Sequence, residues 1–260
     1  MYYINYPTGE YDTVLEVLSH THTNSIKTSS IPLADFWHPD RNVKHKKVIS
    51  REIQIDFTYA NYCFEYPTPA YKNFESGKTL QYSKASMTDL MIFLPGIQIA
   101  IEAKYTEYVR DEIYKPILKD WCNNEKHKKD IIGCWLHYIS SYVREPITVD
   151  KLMEIERFPY QFLHRTASAC FSRNGERPML IYQLFYDEKN ISQLVKFEEI
   201  LSNAAKTLKL NLETLPFFII KQKVSKIKEN NRANNSFAFE IMKTNPVYVF
   251  ESMPEVYRVK

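Results

Sequence analysis

The segment from Thr88 to Lys104 constrains the fold more than any other part of the chain. It reads TDLMIFLPGIQIAIEAK, two apolar runs separated by Pro95-Gly96. Each run has the length of a strand, and a Pro-Gly pair between them is a turn signal. A buried hairpin of strands over 88–94 and 97–104 is expected.

Charged residues interrupt the ends of this apolar hairpin. Asp89 opens the first strand, and Glu102 and Lys104 close the second. Residues i and i+2 of a strand share a face, so Glu102 and Lys104 project together while Ala103 turns away. Asp89 stands six residues before Pro95 and Glu102 six after Gly96. A tight hairpin therefore makes them near neighbours across the ladder. Adjacent carboxylates raise each other's pKa. A hard divalent cation removes that cost, and Mg²⁺ takes such oxygens while keeping waters for its other positions. Beside a metal, Lys104 can orient or deprotonate a water or hold a phosphate oxygen.

The remaining sequence predicts an α/β protein, a mixed central sheet flanked by helices. Strands are expected over 48–57, 62–66, 178–186, 217–224 and 247–250. Helices are expected over 12–20, 108–121 and 191–208, with a helical turn at 33–37 and a helical stretch over 149–172 broken at Pro159. A basic link over 41–47, a loop over 71–86, a polar segment over 123–130 and an apolar stretch over 131–142 complete the reading. The 260 residues suit a single domain, with a core over about 48–225 and elaborations over 1–47 and 226–260.

Composition narrows the chemistry. The chain has only five glycines, none close to another. A phosphate-binding glycine loop or a dinucleotide fingerprint cannot be written with that set. Phosphates would have to be handled by metal and side chains. A net charge of +3 is too small to argue nucleic-acid binding by itself. Four cysteines include no C-x-x-C pair, which disfavours a thiolate zinc site. The N-terminus lacks a signal-peptide pattern and no apolar run approaches the roughly 20 residues of a membrane span. A cytoplasmic protein with reduced thiols and no membrane partner is expected. Two KHKK clusters, Lys44–Lys47 and Lys126–Lys129, offer contacts to phosphate.

Asp89, twelve intervening residues and then Glu102-Ala103-Lys104 resemble the signature of the PD-(D/E)XK nuclease superfamily. Thr88 stands where the family's proline would. The resemblance covers about 62–186 and implies a restriction-endonuclease-like fold and Mg²⁺-dependent cleavage of DNA, with Mn²⁺ as substitute. It assigns Asp89, Glu102 and the Ala103 backbone carbonyl to the metal and Lys104 to the attacking water. The run EAKYTE (Glu102–Glu107) resembles that of prokaryotic restriction and phage-defence members, and FPYQFLHRTASA (Phe158–Ala169) resembles their later helix. There Gln161 matches a residue that approaches the site, with His164 and Arg165 one turn on. Glu65, in FEYPTP, is a further metal-binding acid by the same resemblance, and Glu107 could support Lys104. Two other readings stand beside this one: a catalytically silent nucleic-acid-binding or assembly module on the same fold, and an RNA nuclease. A homodimer or a partner protein is compatible with each.

Overall fold

The computed structural model describes residues 2–4, 14–16, 18, 28–73, 78–79, 86–108, 117–123, 125–172, 175–227 and 235–260. The strands are β1 (Tyr2–Ile4), β2 (Asn61–Thr68), β3 (Tyr71–Asn73), β4 (Lys78–Thr79), β5 (Ser86–Leu94), β6 (Ile97–Lys104), β7 (Arg177–Tyr186), β8 (Phe217–Lys226), β9 (Tyr248–Phe250) and β10 (Glu255–Arg258). The helices are α1 (Ser30–Phe36), α2 (Val43–Ile53), α3 (Leu118–Cys122), α4 (Lys126–Ile139), α5 (Val149–Met153), α6 (Tyr160–Cys170), α7 (Ile191–Thr207) and α8 (Asn235–Thr244).

Pro95 and Gly96 turn β5 into β6 with Leu94 opposite Ile97. Gly96 has φ +73°, and no heavy atom lies within 4 Å of where a Cβ would stand. Backbone conformation, not space, selects glycine there. The hairpin lies inside one sheet of order β1-β2-β5-β6-β7-β8-β10, with β9 also paired to β8. The pairs β1/β2, β6/β7 and β7/β8 are parallel, and the others in this sheet are antiparallel. A mixed sheet flanked by helices is thus the architecture. Along β7 every residue from Pro178 to Phe185 is buried, as a central strand covered on both faces must be. On one face α3, α4, α6 and α7 pack around Phe162, Tyr182, Phe197 and Phe217. On the other, α1, α2 and α8 pack around Phe36, Trp37, Ile49 and Phe239. Burying each such large apolar side chain contributes about 1.5–3 kcal/mol. The outer segments join the same sheet, since β10 pairs with β8 and β1 with β2.

Several expectations are corrected. The basic link over 41–47 and the strand over 48–57 are replaced by α2. Ile49 and Ile53 are buried one helical turn apart, while Lys44, Lys47 and Arg51 are exposed. An i, i+4 stripe extended by Ile55 and Phe57 imitates alternation. Residues 126–139, taken from the polar segment and the apolar stretch after it, form one helix, α4, which begins with the exposed Lys126 and His127. In the stretch expected to be a loop, β3 pairs with β4. Helix α8 and strand β10 are additional elements. Most of the helices expected over 12–20 and 108–121 lies outside the described residues, although 14–16 and 18 are helical and α3 covers the end of the second. Pro159 separates α5 from α6, as the sequence suggests. No helix among the described residues is long and apolar enough to cross a membrane. All four cysteines are buried and none forms a disulfide.

Candidate functional site

The site is built where β5 and β6 stop pairing. Their ladder runs from Leu94↔Ile97 to Leu90↔Ile101. One step further, Asp89 and Glu102 come level. There Asp89 Oδ2 accepts the backbone N–H of Ala103 at 2.8 Å, so a carboxylate takes over from the strand as hydrogen-bond partner. Ala103 buries its side chain in the opposite layer and presents its backbone to the site. Glu102 and Lys104 share the α6 face, and Lys104 Nζ donates to Glu102 Oε1 at 2.6 Å. Glu102 has no solvent exposure.

Strand β2 brings a third acid. Phe64↔Leu90 and Tyr66↔Thr88 keep one register, which sets Glu65 level with Asp89. Glu65 has φ +49°. Left-handed backbone costs an L residue roughly 1 kcal/mol. Asn42, Gln54, Asn123 and Lys209 also have positive φ, but they flank helix ends, where such a turn is ordinary. Among the described non-glycine residues, Glu65 alone has it inside a strand.

Helix α6 supplies the guanidinium. Its residues from Phe162 to Cys170 are all buried, so its polar side chains must find partners inside. Arg165 Nε donates to Glu102 Oε2, and its Nη2 lies 3.7 Å from Asp89 Oδ1. Arg165 Nη1 also donates to His164 Nδ1. That nitrogen must then be bare, so Nε2 carries the proton and donates to Ser168 Oγ at 3.2 Å. Ser168 Oγ in turn accepts from Thr68 Oγ1 on β2 at 2.7 Å. Gln98 of β6 donates to the carbonyl of Phe171 at 2.8 Å, just past the helix end. The helix is thereby tied to the strands on both sides of the site.

Electrostatics give the cluster its character. Three carboxylates, Glu65, Asp89 and Glu102, act on one another beside two cations, Lys104 and Arg165. Burial works against the charge of Glu102, but Arg165 and Lys104 more than offset it and hold its carboxyl below the ordinary range. Burial pushes Asp89 up to about 8, Glu102 and Glu65 push with it, and Arg165 and Lys104 pull back incompletely. Burial raises Glu65 as well, against the pull of Arg165. Against its own burial, Glu102 and Asp89 hold Arg165 firmly protonated. The side chain of Asp89 remains 23% exposed, so the underbalanced acid is also the accessible one.

The structure brings together Asp89, Glu102, Lys104, the Ala103 backbone and Glu65. Gln161 is half-buried on the first turn of α6, one turn before Arg165 and on its side of the helix. Arg165, one turn beyond Gln161, meets the acids directly. A basic residue i+4 from Gln161 in a helix buried nearly all round was the available signal. Glu107 does other work. Its carboxylate accepts the N–H groups of Ser29 at 3.1 Å and Tyr105 at 3.0 Å, fastening the start of α1 to the end of β6.

The oxygens of Glu65, Asp89, Glu102 and the Ala103 carbonyl are hard donors of the type Mg²⁺ prefers. The underbalanced charge at Asp89 also fits a cation. Their spacing is that of a salt-bridged state, with Arg165 on Glu102. Among the described residues no group of three or more His, Cys, Asp or Glu side chains is set closely enough to hold an ion.

No curated protein matches the chain, and no solved structure does. A family model does match, over residues 7–224. That span contains Glu65, Asp89, Glu102, Lys104 and Arg165 together with β2, β5, β6 and α6, so the chain belongs to the family described as Domain of unknown function (DUF6946).

Proposed function

We propose that the chain is a metal-dependent nuclease that hydrolyses phosphodiester bonds in DNA, with a site of the PD-(D/E)XK kind. The observation that carries this reading is the convergence of Glu65, Asp89 and Glu102 on Lys104 and Arg165, an acid surplus at a partly exposed strand end. Strongly shifted acids of this kind cluster at functional sites, which supports the reading beside the geometry.

Glu65, Asp89, Glu102 and the Ala103 carbonyl would hold Mg²⁺, or Mn²⁺ in its place. When bound, the ion supplies Lewis acidity to the phosphate oxygens and lowers the pKa of water. Lys104, fixed by Glu102, positions the attacking water through its ammonium hydrogens. Arg165, which donates to Glu102, would also be placed to meet a non-bridging phosphate oxygen. Lys104 and Arg165 would then face the negative charge that builds on the phosphoryl oxygens as the water oxygen bonds phosphorus and the bridging P–O bond breaks. Gln161 orients the substrate or the water from the mouth of α6. A restriction or phage-defence setting follows from the motif resemblance.

The test is cleavage of plasmid, linear and single-stranded DNA in Mg²⁺ or Mn²⁺, with a ribose-containing oligonucleotide alongside. Glu102→Ala and Lys104→Ala should each lose about 10³-fold in rate. Full cleavage by both variants would overturn the assignment. Cleavage of the ribose strand alone would make the protein an RNA nuclease. The double pairing of Glu102 by Lys104 and Arg165 favours a second reading, a catalytically silent nucleic-acid-binding module. That reading is correct if DNA binds and no divalent ion does.

A further inference from the structure

The first KHKK cluster lies away from the carboxylates. Helix α2 and the turn that follows it enclose a cleft of about 460 Å³. Lys46, Lys47 and Ser50 line the helix side, and Asp56, Phe57 and Tyr62 line the other. Tyr62 and Phe57 pack into the α1/α2/α8 layer, on the sheet face opposite Glu102. Tyr62 also pairs with Ile92, nearer the Pro95-Gly96 end of the hairpin than Asp89. The cleft and the carboxylate cluster are therefore separate.

Among the described residues, Lys46 meets carbonyl oxygens but no carboxylate at ion-pair distance. It is half-buried, and its Nζ donates to the carbonyls of His38 at 2.7 Å and Pro39 at 3.3 Å. Neither partner carries charge. Asp40 acts on it without forming an ion pair, and burial lowers its pKa to about 8. A cation withdrawn from water without a counter-charge is costly. Lys47 is exposed beside it. Asp56, the acid of the cleft, is exposed and held by Thr58, whose N–H and hydroxyl both donate to Oδ1. The apolar side is aromatic. Phe57 is half-buried, T-shaped against Trp37 with centroids 5.4 Å apart, and Tyr62 tilts on the same indole at 5.5 Å. Tyr59, between the lining residues Thr58 and Ala60, is 78% exposed.

We propose that this cleft binds a nucleotide, its phosphate paired with Lys46 and Lys47 and its base against Phe57. The phosphate supplies the charge that Lys46 lacks. The aromatic wall supplies a stacking face that accepts any base. The volume falls in the range of small-molecule sites. The phosphate could belong to a free nucleotide or to a nucleic-acid strand, and the chemistry of capture is the same.

The experiment is calorimetric titration of the full chain in EDTA, which keeps divalent ions from the carboxylates. AMP, adenosine, inorganic phosphate and a six-residue oligothymidylate are titrated in turn. AMP should bind at least about tenfold more tightly than adenosine or phosphate alone, because both halves of the cleft are used. Lys46→Met should weaken AMP by about tenfold or more, and Lys47→Glu, an exposed change that leaves the core alone, should do likewise. Tighter binding of the oligonucleotide than of AMP, lost in the same variants, identifies a strand as the source of the phosphate. Equal binding by wild type and both variants, or no binding of AMP or oligonucleotide at millimolar concentration, overturns the proposal. Failure here leaves the nuclease reading untouched, since no residue of the cleft belongs to that site.

Discussion

Two carboxylates in this protein, both raised by burial, have opposite surroundings. Asp35, on α1, has no solvent exposure. It accepts the N–H groups of Val247 at 2.8 Å and Tyr248 at 2.9 Å, and a guanidinium N–H of Arg41 at 2.9 Å. Burial raises its pKa, but each neighbour acting on it favours the charged form. Asp89 is raised by burial too, and there Glu102 and Glu65 add to the rise. One acid is met only by donors and fastens α1 to Val247 and the start of β9. The other is left in surplus at an exposed edge. Burial raises both acids, but only at Asp89 do neighbouring carboxylates add to the rise. Under the proposed function that surplus is the place of the cation.

Substitutions can break this contrast, beginning with the largest effect. Asp35→Ala leaves Arg41 and two amides without their acceptor and should cost about 3–5 kcal/mol in urea unfolding. Asp89→Asn should cost nothing or stabilise slightly, because it relieves repulsion; a loss like that of Asp35→Ala would show the two acids to be alike. Arg165→Met leaves Glu102 buried with Lys104 alone and should cost about 3 kcal/mol.

The pH dependence sharpens the same point. The folded carboxyl of Asp89 sits at about 8 against an ordinary 3.8, so the folded state holds a proton that the unfolded state has lost. Its contribution to stability is therefore present below pH 4 and declines as pH rises toward 8. Asp89→Asn should flatten that decline in a series of melts. By the same linkage Mn²⁺ must displace the proton, so its affinity should rise about tenfold per pH unit up to pH 8 and then level off. The smallest effect concerns Glu65. Glycine accepts its left-handed backbone freely, so Glu65→Gly should be about 1 kcal/mol more stable than Glu65→Ala, with both deficient in cleavage.

The hairpin was legible in the sequence because its signals are local. Two apolar runs and a Pro-Gly pair determine both strands and their turn, and counting from the turn locates Asp89 against Glu102. Helix α2 was misread because Ile49, Ile53, Ile55 and Phe57 satisfy strand and helix periods at once. Arg165 was only half legible. Its helix was recognisable, but which of Gln161, His164 and Arg165 reaches the acids depends on how α6 docks. That docking is set by Gln98 and by the Thr68–Ser168–His164 chain, contacts between residues far apart in sequence. The left-handed backbone of Glu65 had no sequence signal, since neither glycine nor asparagine marks it.

The most direct measurement of the proposed cation site is calorimetric titration of Mn²⁺ into wild type, Asp89→Asn and Asp35→Asn at pH 8. Heat from binding should appear in wild type, vanish in Asp89→Asn and persist in Asp35→Asn where that variant is folded. Equal heat from wild type and Asp89→Asn, or none from wild type, would contradict a metal site at the carboxylate cluster.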